Sequence, residues 1–193
     1  MIAHLQGKLV EKSPTQLVID CGGVGYDVHI SLHTYSMLPN TDFIKVFTHL
    51  QIKEDAHTIF GFFEKSEREI FKLLISVSGI GAGIARTMLS SLEPKQITNA
   101  IASGDVGTIQ SIKGIGSKTA QRVILDLKDK MLKLYDLDEV SISQSNTNRD
   151  EALSALEVLG FVKKASEKVI DRIVKQDPDA SVESIIKQAL KSL

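Results

Sequence analysis

The first 63 residues fall into short apolar-rich runs of strand composition, with polar–apolar alternation over Tyr26–Ile30, and from residue 64 onward the apolar positions recur at helical spacing. In the first part, Ile2-Ala3-His4-Leu5 and Lys8-Leu9-Val10-Glu11 have strand composition, followed by a turn at Ser13-Pro14-Thr15. Gln16–Asp20 reads as the next strand, Cys21-Gly22-Gly23-Val24-Gly25 as a glycine-dependent bend, and Tyr26–Ile30 as a half-buried strand. Ser31–Leu38 fits one short helix stopped by Pro39-Asn40, after which Phe43–Ile52 and Thr58–Phe62 complete about five strands. Five short strands with one helical insertion predict a small Greek-key barrel of the OB type, or an open sandwich of similar size.

Residues 64–135 predict a run of helices. Ser66-Glu67-Arg68-Glu69 has the form of a capping box, in which the Ser66 hydroxyl and the Glu69 carboxylate each satisfy a free N–H. Ile70, Phe71, Leu74 and Ile75 continue from it as one apolar stripe. A helix with Ala85, Met88 and Leu89 follows, then one opened by Pro94 and closed near Gly104, then a short one capped by Asp105. The longest begins near Ser117 and carries Ala120, Val123, Ile124, Leu127, Met131 and Leu134. Residues 136–148 lose this periodicity and read as a flexible acidic and polar linker. Residues 149–193 predict three short helices, the first ended by Gly160, with a core too small for a deep active site.

Two turns inside the helical region match each other. Gly79-Ile80-Gly81 and Gly114-Ile115-Gly116 lie 35 positions apart, preceded by Val77 and Ile112 and followed by Ala85 and Ala120 at equal offsets. Each joins two helices, and each leaves amide N–H groups free at the start of a helix whose dipole favours an anion. That arrangement suits a phosphate oxygen. The pair resembles the helix-hairpin-helix motif of DNA-binding proteins, present twice; the alternative is a helical bundle with two glycine-rich turns and no ligand.

Composition sharpens this picture. The net charge is only −1, but it is unevenly spread. Residues 64–135 carry 11 Lys+Arg against 7 Asp+Glu, whereas residues 1–63 carry 4 against 6. The positive excess therefore falls on the segment holding both turns, where it matters for phosphate binding. With 5% aromatic residues and no Trp, an extended base-stacking platform is not expected. The single Cys21 excludes an internal disulfide framework and fits a reducing cytoplasm. No apolar run approaches the length of a membrane span, and the first residues lack a signal-peptide core.

Rival chemistries find little support. Gly114–Thr119 reads GIGSKT, but a P-loop needs Gly-Lys-Ser/Thr after a four-residue spacer and a preceding strand; here Ser117 intervenes and the preceding segment is helical. A glycosylase or lyase needs a base-flipping pocket and a placed Asp or Lys, and Asp136 has no such company. The five histidines (His4, His29, His33, His49, His57) are irregularly spaced within the barrel segment, so neither a metal site nor a cofactor site is expected. A generic duplex-binding or scaffolding protein remains open.

The order of segments, with VSGIGAGIA (77–85), IKGIGSKTAQRVILDLKDK (112–130), KEDAHTIFGF (53–62), GGVGYDVHI (22–30) and the LGF turn (159–161), resembles the RuvA family over essentially the full length. The resemblance implies a bacterial, cytoplasmic, non-catalytic subunit that binds four-way (Holliday) junctions as a tetramer and holds them open and planar. Paired tetramers on DNA are left open. It implies an OB-like barrel (1–63), a tandem helix-hairpin-helix domain (64–135), a linker (136–148) and a three-helix module (149–193) resembling a ubiquitin-associated fold. That module would contact the RuvB ATPase motor, with the RuvC resolvase in the larger assembly. The matching DNA-binding positions are Gly79, Gly81, Gly83, Arg86, Gly114, Gly116, Ser117, Lys118 and Arg122. The family's first turn usually has Lys where this chain has Gly83, so contact there falls to backbone amides, with Arg86 as the candidate side chain. Glu54 and Asp55 match the family's acidic pin, although a lone acidic pair in a hairpin otherwise reads as a solvated turn. Leu156, Leu159, Phe161 and Leu190 are candidates for the motor contact or for the module's own core.

Overall fold

The computed structural model describes residues 1–139, 144–177 and 180–192. The chain divides into two compact units, Met1–Tyr135 and Asp136–Leu193. The first begins with five strands, β1 (His4–Lys12), β2 (Gln16–Asp20), β3 (Gly25–Ile30), β4 (Phe43–Ile52) and β5 (His57–Phe62), with the helix α1 (Leu32–Met37) between β3 and β4. They form a closed barrel in the order β1-β2-β3-β5-β4, with β4 paired back to β1 and β3 parallel to β5. Closure rules out the open sandwich. The two short strands expected at residues 2–5 and 8–11 are one strand. Gly7 pairs with Ile44 in an unbroken ladder against β4, and the irregularity in β1 falls later, as a register shift between Leu9 and Glu11.

Alternation along the strands decides what each face packs against. Leu5, Leu17, Ile19, Val28, Ile30, Ile44 and Val46 fill the barrel. On β5 the opposite parity, Phe60 and Phe62, points outward into the core of the helices instead. Phe71 of α2 (Lys65–Ile75) is fully buried there, with ring centroids 5.1 Å from Phe60 and 4.9 Å from Phe62. Barrel and helices thus share one apolar seam within the first unit. Burying a side chain of this size contributes about 1.5–3 kcal/mol.

The remaining helices of this unit are α3 (Ala82–Ser91), α4 (Pro94–Ser103), α5 (Val106–Gln110) and the start of α6 (Ser117–Glu139). Their ends follow the expected chemistry: Pro94 opens α4, Gly104 closes it in a left-handed conformation, and Asp105 caps α5 through the Thr108 N–H at 3.0 Å. The hydrogen bonds from Thr108 hold the Asp105 carboxyl below its ordinary pKa. The capping box at Ser66 is not formed. The helix starts at Lys65 with Glu64 at its N-cap; the Ser66 hydroxyl donates to Glu64, and Glu69 pairs with Arg68 and Lys72. Glu67, one position from the expected cap, is buried instead.

In the second unit α7 (Gln144–Val158), α8 (Lys163–Gln176) and α9 (Val182–Leu190) pack around Ala152, Leu153, Leu156, Ile170, Ile173, Ile185 and Ala189. After α7, Gly160 N–H donates to Glu157 O and Phe161 N–H to Leu156 O, both at 3.0 Å, which is the Schellman arrangement. Of the stretch expected as a linker, residues 140–143 lie outside the described residues; α6 runs to Glu139 and α7 starts at Gln144.

Candidate nucleic-acid interface

The two glycine turns repeat each other in backbone detail. Gly79 has φ +97° and Gly114 φ +94°, a region that L side chains avoid. Ile80 N–H donates to Val77 O at 3.0 Å and Ile115 N–H to Ile112 O at 3.1 Å. Ala85 N–H donates to Gly81 O, and Ala120 N–H to Gly116 O, both at 2.9 Å. In each turn the isoleucine between the glycines is buried while the glycines are exposed. The apolar residue anchors the turn to the core and pushes its amides outward.

These amides are accessible. Gly81 is the N-cap of α3 and has no side chain to satisfy the first N–H groups; Gly116 stands in the same position before α6. Nothing lies within 4 Å of a Cβ placed on Gly81, Gly83, Gly114 or Gly116. A Cβ on Gly79 would lie 3.8 Å from Thr119 Cγ2, so the first turn sits against the beginning of α6 and the two turns are neighbours.

The side chains break the repeat. Ser117, Lys118 and Arg122 are exposed on the first turns of α6, together with Lys113 inside the second turn. The residues 35 positions earlier are Ala82, Gly83, Thr87 and Ser78, all uncharged. Lys113 was missed in reading the sequence, although a cation inside the turn was the available signal. Arg86, the one cation of α3, is half-buried and its Nη1 lies 3.0 Å from His29 Nδ1 on β3. It is engaged with the barrel.

Glu54 and Asp55 form the exposed two-residue tip of the β4–β5 hairpin, which Lys53 N–H closes on Ala56 O at 2.9 Å. In the second unit Leu156 is fully buried and belongs to the core, and Phe161 is half-buried against it. Leu159 and Leu190 are exposed, as are Val158 and Val162, the latter two by 84% and 72%. Val158 and Leu159 line a shallow open groove of about 470 Å³ with Glu151, Ser154 and Ala155. Among the described residues no group of His, Cys, Asp and Glu could hold a metal ion, and no helix is long and apolar enough to cross a membrane. The GIGSKT stretch follows the helix α5, so it lacks the strand a P-loop requires.

Three family models cover most of the chain: the RuvA N terminal domain over residues 1–61, a SAM-like helix-hairpin-helix tandem over 71–129, and the RuvA C-terminal domain over 147–193. A protein of Flavobacterium psychrophilum named Holliday junction branch migration complex subunit RuvA is 78% identical over 193 residues, the full length of both chains. The chain belongs to the RuvA family. Relatives of the same name from Christiangramia forsetii, 64% identical over the full length of both chains, and Cytophaga hutchinsonii, 51% identical over 99% of both, agree with it. The RuvA N terminal match ends within β5, and the tandem match spans both glycine turns.

Proposed function

We propose that this protein binds four-way DNA junctions as a homotetramer, holds the arms open and planar, and delivers them to a RuvB-type ATPase motor for branch migration in recombination and repair. The observation that carries the reading is the pair of adjacent, geometrically matched amide turns on a fold that also presents an acidic hairpin tip. The turns grip backbone phosphates of an arm through Gly79, Gly81 and Gly83 on one side and Gly114, Gly116, Ser117, Lys118 and Arg122 on the other. Phosphate contacts position DNA without reading its sequence, which suits a protein that acts on any junction. Glu54 and Asp55 repel phosphates, so they belong where strands part rather than along a bound arm. The names of the full-length relatives support the junction and the complex.

Labour divides along the chain: residues 1–63 supply the tip, 64–135 the grip, and 149–193 the motor contact through exposed Val158, Leu159, Val162 and Leu190. The subunit is non-catalytic, so ATP hydrolysis resides in the motor and strand cleavage in a RuvC-type resolvase. The test is a comparison of affinities for a four-way junction and a duplex of equal length, with the assembly's mass measured on both. Strong junction preference by a tetramer is expected; equal affinities would reduce the protein to a general duplex binder.

A further inference from the structure

The seam between barrel and helices holds one buried carboxyl group, that of Glu67. Its side chain is fully buried, with Oε1 2.5 Å from Ser31 Oγ and Oε2 2.6 Å from Thr34 Oγ1. Ser31 Oγ already accepts from Thr34 N–H at 3.0 Å, and Thr34 Oγ1 accepts from Phe63 N–H at 3.2 Å. Each hydroxyl has one proton to give, and each gives it to Glu67. Glu67 takes both hydroxyls as partners and has no Lys or Arg in ion-pair contact among the described residues. Burial pushes its pKa up, against the two hydroxyls that pull it down. A buried carboxyl group without a cation partner is a costly way to fill space, and an apolar side chain would serve stability as well.

Directional bonds do what an apolar contact cannot: they define one relative position of two elements. Both hydroxyls belong to the β3–α1 corner of the barrel, and Glu67 belongs to α2. The same corner is tied to α3 by Leu32 N–H donating to Ser90 Oγ at 3.1 Å and by the Arg86–His29 contact at 3.0 Å. Helix α3 begins at the first glycine turn, and the barrel ends in the Glu54–Asp55 tip.

We propose that Glu67 is a positioning residue: by clasping Ser31 and Thr34 it sets where the first glycine turn stands relative to the acidic tip, and so tunes the preference for junctions over duplex. The inference rests on the junction-binding reading given above. A duplex needs only the turns, whereas a junction must meet turns and tip together. Loss of the clasp therefore affects the second more than the first.

The test uses the full chain with three substitutions. Thr34→Val removes one hydroxyl at nearly constant shape, Glu67→Gln replaces the carboxyl group with an amide, and Thr34→Ser keeps the hydroxyl. Affinities for a four-way junction and an equal-length duplex are measured at low salt, with folding checked by circular dichroism. Thr34→Val and Glu67→Gln are expected to lower the junction-to-duplex affinity ratio by up to about tenfold, the worth of one good hydrogen bond, with duplex affinity and its salt dependence retained. Thr34→Ser is expected to keep the wild-type ratio. Thr34→Val, the milder change, decides the matter where Glu67→Gln does not fold. A wild-type preference that folded Thr34→Val retains overturns this inference alone. A wild-type protein with no junction preference overturns the underlying reading and this inference with it.

Discussion

Replacing Lys118 and Arg122 together with alanine tests the grip quantitatively. Both side chains are exposed at the start of α6, four residues apart, so they lie about 6 Å apart along the helix axis and one stretch of DNA backbone can meet both. Each phosphate neutralised contributes about 0.9 to the slope of log affinity against log salt. The double variant should therefore lose about 1.8 from that slope for each engaged protomer, which removes about a twelvefold salt sensitivity between 50 and 200 mM. Fluorescence anisotropy of a labelled junction and a labelled duplex across that range reads the slope directly. Both ligands should respond alike, because the proposed grip assigns these residues to backbone rather than to the crossover. The reciprocal change, Gly83→Lys, places a cation at the matching position of the first turn, where a Cβ meets open space; it should add about 0.9 to the slope. A folded double variant with the wild-type slope would show that these cations face away from DNA.

Three further outcomes follow from other parts of the molecule. Glu54→Gln with Asp55→Asn should bind plain duplex more tightly and lose part of the junction preference, with the difference shrinking at high salt; an unchanged ratio at low salt would return the tip to an ordinary solvated turn. Val158→Ser with Leu159→Ser should leave the thermal midpoint and junction binding nearly intact and abolish stimulation of the motor ATPase, while Leu156→Ser should unfold the second unit; stimulation that survives the surface pair moves the contact elsewhere. His49 has its pKa lowered by burial and by Lys72 and Arg68, so the unfolded chain takes up that proton first as pH falls. Its contribution to stability is present above about pH 6.5 and is lost below it; His49→Gln should flatten the fall in thermal midpoint between about pH 7 and 5.5, and an equally steep fall would assign the effect to other groups.

The strands and the twin turns were legible because each rests on local chemistry: short apolar runs bounded by turn residues, alternating on β3, and glycine flanking an isoleucine at a repeated offset. The OB-type barrel was legible from strand number and the inserted helix, but choosing it over an open sandwich needed the pairing of β4 with β1, which joins residues far apart in sequence. The start of α2 misled because Ser66-Glu67-Arg68-Glu69 satisfies the local pattern of a capping box, while a tertiary partner, the Ser31–Thr34 corner, draws Glu67 inward and shifts the helix start. A signal for this was present: Glu67 lies three, four and seven positions before Ile70, Phe71 and Leu74, on the apolar stripe itself. Arg86 has the charge of a phosphate ligand, and only the barrel's position reveals that His29 occupies it. Leu156 and Leu159 look alike in sequence, but the first lies on the inner face of α7 and is buried in the core, while the second lies just past the helix end and is exposed.

The unequal decoration of the twin turns has a mechanical consequence. One jaw of the clamp bears Lys113, Lys118 and Arg122, and the other bears only amides and small uncharged side chains. Long cationic side chains follow a phosphate and resist its departure, while a bare amide ring meets every phosphate alike and releases it as easily as it takes the next. If arms are gripped as proposed above, a strand on the neutral jaw runs over a low-friction bearing, and the charged jaw acts as the brake that keeps the arm from leaving. On the junction-binding reading proposed above, that asymmetry separates the work of retention from the work of passage and places them on two adjacent turns.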